Sequence, residues 1–188
     1  MSAPRPDPAA RGRRARLALV SFPEFFRQWW PPLVRYLISQ ASDTHCAEDV
    51  AQETMLAARD QWEQLLTFER PDAWLFKVAT RRLRRWEARA RERCVLLDNL
   101  DAATGDLRMA AANDDWVHDH LDIVTAIRSL PRRQAEVVAL HCLLGYTFAE
   151  VADILGVTES TAKTHLYRAL EHLKQVLEPA PTTDRGLT

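Results

Sequence analysis

The side chains best suited to catalysis or metal binding are a cluster of carboxylates and three cysteines. Glu48, Asp49 and Glu53 lie close together in the sequence AEDVAQE. The cysteines are odd in number, far apart and without C-x-x-C spacing: Cys46, Cys94 and Cys142. They therefore indicate neither a disulfide framework nor a zinc site. Because the sequence also has no P-loop, G-x-S-x-G or H-E-x-x-H motif, we predict no catalytic residue, no metal site and no cofactor.

The strongest motif lies in the last third of the chain, TFAEVADILGVTESTAKTHLYRAL, from Thr147 to Leu170. Thr147 and Glu150 have the S/T-x-x-E spacing of a capping box, which marks the start of a helix. Gly156 follows an apolar helical face and is expected to end that helix in a left-handed conformation. Thr158 is expected to cap a second helix. Together these signals predict a helix-turn-helix.

The second helix of this motif has a buried and an outer side. Its predicted core residues are Ala162, Leu166, Leu170 and Leu173. Its predicted outer face carries seven residues: Glu159, Ser160, Thr161, Lys163, Thr164, Tyr167 and Arg168. A helix whose N-terminal polar residues are free has the shape that enters a major groove. The pattern favours DNA reading over the alternative, an ordinary helical hairpin.

Charge is separated along the chain, although the formal net charge is only −1. A basic block runs from Lys77 to Arg93, and an acidic stretch runs from Asp98 to Asp122. Such a partitioned field can attract nucleic acid locally even when the overall sum is close to zero.

The composition is that of a globular protein. The chain has 188 residues, of which 47% are hydrophobic and 27% charged, so one or two domains are expected. No apolar run approaches the roughly 18 residues of a membrane span. The basic, proline-rich start lacks the apolar core of a signal peptide. We therefore expect no membrane insertion and a place in the cytoplasm.

Apolar residues recur at helical spacing and form no strand pattern of comparable strength, so the expected fold is all-α. Two small helical domains are expected at residues 21–93 and 121–177, joined by a flexible acidic linker at 94–120. Residues 1–20 are expected to be a disordered basic arm, and residues 178–188 a disordered tail.

Three helices are expected in the first domain: Pro23 to Gln40, interrupted or kinked at Pro31-Pro32; Asp43 to about Leu66; and Asp72, as the N-cap, to Arg93. Trp74, Val78 and Leu75 are the predicted core side of the third. Four helices are expected in the second domain: Leu121–Leu130, Arg132–Leu144, Phe148–Leu155 and Glu159–Leu177.

Three segments together resemble a known family. They are AEDVAQETMLAARDQW (Ala47–Trp62), PDAWLFKVATRRLRRW (Pro71–Trp86) and the long segment from Leu130 to Leu173. In this order they are similar to the extracytoplasmic-function sigma factors of bacterial RNA polymerase, over roughly residues 21–177. The resemblance implies a protein without catalysis of its own that binds core polymerase, recognises promoter DNA and supports its opening. It also implies that the second helix of the helix-turn-helix contacts the minus-thirty-five element of the promoter through Glu159, Ser160, Lys163, Thr164 and Arg168.

The resemblance also implies a face for polymerase docking. Four residues match the surface that docks on the coiled coil of the polymerase clamp: Asp49, Gln52, Glu53 and Leu56. An exposed acidic and amide stripe with an apolar neighbour suits a basic partner helix. A solvated acidic face is the alternative. The polymerase flap and promoter DNA are the further implied partners, and an anti-sigma protein is a candidate.

Strand opening is implied for the loop Gln64–Asp72 and the third helix. The implied contacts to the minus-ten element are Phe68, Lys77, Arg81, Arg84 and Arg85. Unpairing a base costs a few kcal/mol, and stacking on an aromatic ring returns about 1–3 kcal/mol. Of the aromatic residues Phe68, Trp74, Phe76 and Trp86, we expect Phe68 to contact a base and Trp74 to lie mainly in the core.

The sequence departs from the family at several positions. Thr80-Arg81 stands where Arg-Asn is common, and Arg85 where an acidic residue is common. Ala162 replaces a β-branched residue in the recognition helix. Glu159 near its start repels phosphate but can accept from cytosine N4. These differences concern the promoter sequence rather than the class of protein.

Two other functions are alternatives on the sequence alone. A stand-alone helix-turn-helix regulator would have a similar C-terminal domain, but the basic block in the first domain then has no role. An enzyme would need a motif that the sequence lacks, since a docking face accounts for its carboxylates. For the linker, a path toward the polymerase active-site cleft and a plain tether stay open as alternatives.

Overall fold

A computed structural model describes residues 21–41, 43–96 and 121–177, and the secondary structure in these ranges is helical throughout. This confirms the expected all-α class. The predicted arm, most of the predicted linker and the predicted tail lie outside the described residues. By its internal contacts the chain divides into two compact units, Met1–Ala110 and Ala111–Thr188.

The described part of the first unit contains four helices: α1 (Phe22–Gln40), α2 (Thr44–Asp60), α3 (Trp62–Leu65) and α4 (Pro71–Leu96). Helix α1 begins with a capping box in which Ser21 N donates to Glu24 Oε2 at 2.9 Å. Of the two outcomes predicted at Pro31-Pro32, the interruption is wrong, because α1 continues through both prolines, and the kink stays a prediction. Because neither proline has an N–H, the carbonyls of Arg27 and Gln28 lose their helical partners, and water can satisfy them since both residues are exposed.

Helix α2 ends at Asp60, six residues before the predicted end at Leu66. The chain turns at Gln61 and continues as the single turn α3. The ring of Trp62 packs on Phe22 and Phe25, with centroids 5.5 and 5.2 Å apart. This aromatic contact draws the chain back onto α1 and ends the straight path of α2.

Helix α4 begins at Pro71, so Asp72 is not its N-cap as predicted. Proline suits the first helical position because it needs no N–H donor there. Asp72 is 2% exposed and accepts from Arg70, at 3.0 Å from Nε and 2.6 Å from Nη2. Helix α4 also runs three residues beyond the predicted end at Arg93.

The buried side of α4 differs from the prediction. Trp74 and Val78 are only half-buried. The buried residues along this stretch are Leu75, Phe76, Ala79, Thr80 and Leu83. The Phe76 ring packs edge-on against Trp29 and Tyr36, with centroids 6.1 and 5.4 Å away. Rings from α1 therefore fix the rotation of α4, and no signal within α4 shows this.

The second unit contains α5 (Leu121–Arg128), α6 (Arg132–Val138) with a π-helical continuation (Ala139–Leu143), α7 (Phe148–Leu155) and α8 (Glu159–Leu177). Helix α5 ends two residues before the predicted Leu130. The π-helical turn was not predicted. In it Leu144 N donates to Ala139 O at 3.1 Å, and Gly145 follows with φ of 72°. This widened turn and the left-handed glycine bring Tyr146 into the core, where it is 3% exposed.

The core of the second unit forms between α5, α6 and α8. Its buried cluster consists of Ile127, Leu130, Ala135, Val138 and Ala169, with Leu143, Leu166 and Leu173 packed against it. Glu136 is 1% exposed and accepts from Arg132 Nε at 3.1 Å and from Arg133 Nη1 at 3.3 Å. These ion pairs compensate the burial of the Glu136 carboxylate. Across the described ranges, no helix is long and apolar enough to cross a membrane.

Candidate docking and nucleic-acid interfaces

The helix-turn-helix has the local geometry that its sequence predicts. Thr147 N donates to Glu150 Oε2 at 2.8 Å, and Glu150 N donates to Thr147 Oγ1 at 3.3 Å, which confirms the capping box. Gly156 is left-handed, with φ of 69° and ψ of 42°. Thr158 Oγ1 accepts from Thr161 N at 3.2 Å and so caps α8. These contacts hold the start of α8, here called the recognition helix, in a defined position.

The buried side of the recognition helix is partly different from the prediction. Ala162 is fully buried, and Leu166 and Leu173 are half-buried. Leu170 is 48% exposed, so its prediction as a core residue is wrong, and Ala169 is buried in its place. At about 100° per residue, Ala169 lies about 20° from Ala162 around the helix, whereas Leu170 lies about 80° away.

The structure places all five predicted minus-thirty-five residues on the exposed side of the recognition helix: Glu159, Ser160, Lys163, Thr164 and Arg168. Two of them form an ion pair, since Lys163 Nζ lies 2.6 Å from Glu159 Oε1. Tyr167, at the centre of this exposed side, is 70% exposed.

Phe148, the first residue of α7, contacts the lysine of this ion pair. Lys163 Nζ lies 5.5 Å from the centroid of the Phe148 ring. The ring of His141 stacks on the ring of Phe148, with the two centroids 4.2 Å apart. Sequence reasoning missed Phe148, because no local spacing places the start of α7 beside α8. The ion pair itself follows from i, i+4 spacing.

The predicted docking residues form one exposed stripe on α2: Asp49, Gln52, Glu53 and Leu56. Leu56 is 49% exposed. Glu53 also makes an ion pair within the chain, since its Oε2 lies 2.7 Å from Nη1 of Arg82 on α4. We call these four residues the docking face.

An apolar groove of about 290 Å³ borders the docking face, between α1 and α2. It is lined by Phe22, Phe26, Trp30, Gln52, Met55, Leu56 and Arg59. The rings of Phe26 and Trp30 stack, with centroids 5.2 Å apart and planes 14° apart. Gln52 and Leu56 belong to both the groove and the docking face. Sequence reasoning missed the aromatic wall, although the i, i+4, i+8 spacing of its three rings is a signal for it.

The predicted minus-ten residues differ in accessibility. Arg81 and Arg85 are exposed on α4. Lys77 and Arg84 are half-buried, and each makes a contact within the chain. Phe68, in the turn after α3, is 36% exposed. All five belong to α4 or to the connection that leads into it.

The four aromatic residues of this region also differ in how accessible they are. Phe76 is fully buried and is therefore not available for base stacking. Trp74 and Trp86 are half-buried. Phe68 is the most accessible of the four.

The described cysteines are poor nucleophiles. Burial, together with the nearby carboxylates of Asp43, Glu87 and Asp49, raises the pKa of Cys46 to about 12. Partial desolvation also raises the pKa of Cys142, although this cysteine is exposed. Both are therefore thiols rather than reactive thiolates at neutral pH. Within the described ranges, no group of three His, Cys, Asp or Glu side chains is placed to hold a metal ion.

Comparison with known families accounts for both units. Sigma-70 region 2 matches residues 25–93, and sigma-70 region 4 matches residues 120–173. The ECF RNA polymerase sigma factor SigL of Mycobacterium tuberculosis is 31% identical over 155 residues, which cover 80% of this chain and 85% of SigL. The ECF RNA polymerase sigma factor SigF of Caulobacter vibrioides is 35% identical over 138 residues, which cover 71% of this chain and 72% of SigF.

Solved structures show the same fold. The sigma factor RpoE, in complex with the anti-sigma factor NepR from Bartonella quintana, matches with a TM-score of 0.64 and 23% identity, over 87% of this chain and 98% of RpoE. CnrH, in complex with the cytosolic domain of CnrY, matches with a TM-score of 0.57 and 21% identity, over 90% of this chain and 97% of CnrH.

Fold and matched regions together define an RNA polymerase sigma factor with a region 2 and a region 4. The chain belongs to the ECF sigma factor family. Its function is to bind core RNA polymerase, recognise promoter DNA and support promoter opening at transcription initiation.

Proposed function

We propose that this sigma factor uses three separate surfaces. The docking face with the apolar groove binds polymerase, the exposed arginines of α4 hold the opened DNA strand, and the recognition helix binds the minus-thirty-five element. The observation that carries this proposal is that one helical unit presents an acidic docking face on α2 and a basic surface on α4. A stand-alone helix-turn-helix regulator needs neither surface in that unit.

The docking face and the groove are proposed to bind the polymerase clamp. Asp49 and Gln52 offer acceptors to a basic helix, and charge-assisted hydrogen bonds of this kind are strong. Leu56 and the stacked rings of Phe26 and Trp30 offer apolar contact beside them. A partner helix with basic residues and one apolar side chain would satisfy both parts.

The exposed arginines of α4 are proposed to hold the opened minus-ten strand. Arg81 and Arg85 are four residues apart and lie on one side of α4, where they can contact successive phosphates. Phe68 is proposed to stack on an unpaired base, since its ring is accessible and sequence-tolerant stacking needs only an exposed aromatic face. Lys77 and Arg84, which are half-buried, are proposed to contact the same strand at the edge of this surface.

The recognition helix is proposed to enter the major groove of the minus-thirty-five element. Ser160, Lys163 and Thr164 lie within its first two turns, which is the part of a recognition helix that reaches base edges. Arg168, one turn further along, is proposed to contact phosphate.

The domain limits are proposed as residues 21–93 and 121–177, with 94–120 as the connecting segment. We propose that the protein contributes no catalytic group of its own and acts in the cytoplasm, where RNA polymerase works. The solved structure of RpoE is a complex with the anti-sigma factor NepR. An anti-sigma protein is therefore proposed as a third partner of this chain, beside core polymerase and promoter DNA.

Transcription by purified core polymerase with this protein, on a library of genomic fragments, tests the proposed function. Sequencing of the start sites should show shared elements near minus ten and minus thirty-five that depend on the added protein. A stand-alone regulator would instead bind duplex DNA without polymerase and would add no start sites to those of core polymerase alone.

A further inference from the structure

The ion pair between Glu159 and Lys163 contributes little to stability or to the attraction of phosphates. Both side chains are about half exposed, at 51% and 46%, and exposed ion pairs contribute little to folding. The pair carries no net charge, so it adds little to the attraction of DNA phosphates. It nevertheless lies in the first two turns of the recognition helix, where side chains meet base edges.

The geometry of the pair matches the edge of one base pair. In the major groove, guanine O6 is an acceptor and cytosine N4 is a donor. These two atoms hydrogen-bond each other, so they lie side by side, about 2.9 Å apart. Lys163 Nζ and Glu159 Oε1 present a donor and an acceptor 2.6 Å apart. The ion pair is thus the hydrogen-bonding complement of that edge at nearly the same spacing.

We propose that Glu159 and Lys163 read a single G·C base pair of the minus-thirty-five element as one unit. Lys163 donates to guanine O6, and Glu159 accepts from cytosine N4. This inference rests on the proposed role of the recognition helix in minus-thirty-five binding. To that role the inference adds the identity of one base pair and its orientation, with guanine at Lys163 and cytosine at Glu159.

The chemistry of the other base pairs sets an order of preference. In T·A the thymine O4 and adenine N6 present the same acceptor and donor in the same order, so T·A is second best. Guanine is preferred over thymine because its N7 gives the ammonium a second acceptor. C·G and A·T are worst, since each would place the ammonium at an amino group and the carboxylate at a carbonyl oxygen.

Phe148 acts as a positioning residue for this unit. A lysine side chain alone is a flexible chain that ends in a point charge. The Phe148 ring, 5.5 Å from Lys163 Nζ, and the carboxylate of Glu159 restrict the ammonium from two sides. Because Phe148 lies on α7, a substitution there keeps both Glu159 and Lys163 and changes only how firmly the lysine ammonium is held.

Holoenzyme transcription from a promoter library with a randomised minus-thirty-five region tests the inference. The full-length chain with core polymerase is compared with Glu159→Ala, Lys163→Ala and the double variant. Wild type should prefer G·C over C·G at one position by roughly tenfold or more. Each single variant should reduce this preference to below about threefold at that same position, and the double variant should reduce it no further, because the pair acts as a unit.

Matched controls and a second variant complete the test. Glu171→Ala and Lys174→Ala make the same changes at exposed sites further along α8 and should leave the preference unchanged. Phe148→Leu should weaken the preference at the same position without moving it. The inference is overturned if the two single variants relax different positions, or if their effects multiply in the double variant.

A failure of the proposed function would give a different result from a failure of this inference. If wild type shows no preference anywhere in the randomised region, or adds no transcription to core polymerase, the minus-thirty-five role of the recognition helix is wrong. If wild-type preferences are present and survive in both single variants, only the reading unit is wrong.

Discussion

The hydroxyl of Tyr36 on α1 lies 2.7 Å from the hydroxyl of Thr80 on α4, and both side chains are buried. Thr80 Oγ1 donates its only proton to Phe76 O at 2.8 Å, so the bond between the two hydroxyls is donated by Tyr36. The hydroxyl of Thr80 therefore links α4 to α1.

The first prediction concerns the stability of this link. Thr80→Val keeps the side-chain shape but removes the acceptor for Tyr36, at a cost of about 1–3 kcal/mol. Tyr36→Phe should cost less, about 0.5–1.5 kcal/mol, because Thr80 keeps its bond to Phe76 O. Five of the six tryptophans lie in the first unit, so urea unfolding followed by tryptophan fluorescence measures both costs. Purely additive costs in the double variant would contradict a direct bond between the two hydroxyls.

The second prediction concerns the docking face. Gln52→Ala combined with Glu53→Arg should weaken binding to core polymerase while helical content stays unchanged, because it removes an acceptor and places a positive charge on a face expected to meet a basic helix. A pull-down titration with core polymerase measures the affinity. Arg82→Ala is the control, since it breaks the ion pair with Glu53 without altering the docking face. Equal losses in both proteins would assign the effect to the ion pair and not to docking.

The third prediction concerns the opening of promoter DNA. Arg81→Ala combined with Arg85→Ala should allow holoenzyme to occupy a closed promoter but impair opening, because two phosphate contacts to the opened strand are lost. Initiation should be nearly normal on a template with a pre-melted bubble, which removes the unpairing cost of a few kcal/mol. Permanganate footprinting of unpaired thymines reports opening on both templates.

The control for strand opening is Arg27→Ala, which removes an exposed arginine from α1 and should open promoters as wild type does. If the double variant is equally defective on the bubble template, the two arginines serve assembly or folding. If it opens duplex promoters as well as wild type, they have no role in melting.

The fourth prediction concerns the turn of the helix-turn-helix. A Cβ atom added at Gly156 would meet no heavy atom within 4 Å, so its φ of +69° is the only source of strain. Gly156→Ala should therefore destabilise by about 1–2 kcal/mol, and Gly156→Asn by less, because asparagine tolerates the left-handed conformation. Thermal unfolding followed by far-ultraviolet circular dichroism measures this. Equal loss of stability in the two variants would indicate a steric rather than a conformational cost.

Local signals in the sequence determined the helix-turn-helix. The capping box of Thr147 and Glu150, the left-handed Gly156 and the cap at Thr158 all depend on hydrogen bonds and dihedral angles within four residues, so they could be predicted without the rest of the chain. The same is true of the all-α class and of the i, i+4 pairing of Glu159 with Lys163. In each case the interacting groups are neighbours along one helix, whose geometry is known in advance.

Tertiary packing decided what local spacing left ambiguous. Rings from α1 rotate α4 so that Phe76 rather than Trp74 is buried, and the core of the second unit accepts Ala169 and leaves Leu170 exposed. The contact of Phe148 with Lys163 and the ion pair of Glu53 with Arg82 join residues on different helices. Such contacts depend on how each helix is rotated and placed against its neighbours, which is set by the fit of whole side-chain surfaces. The sequence shows these surfaces only one helix at a time.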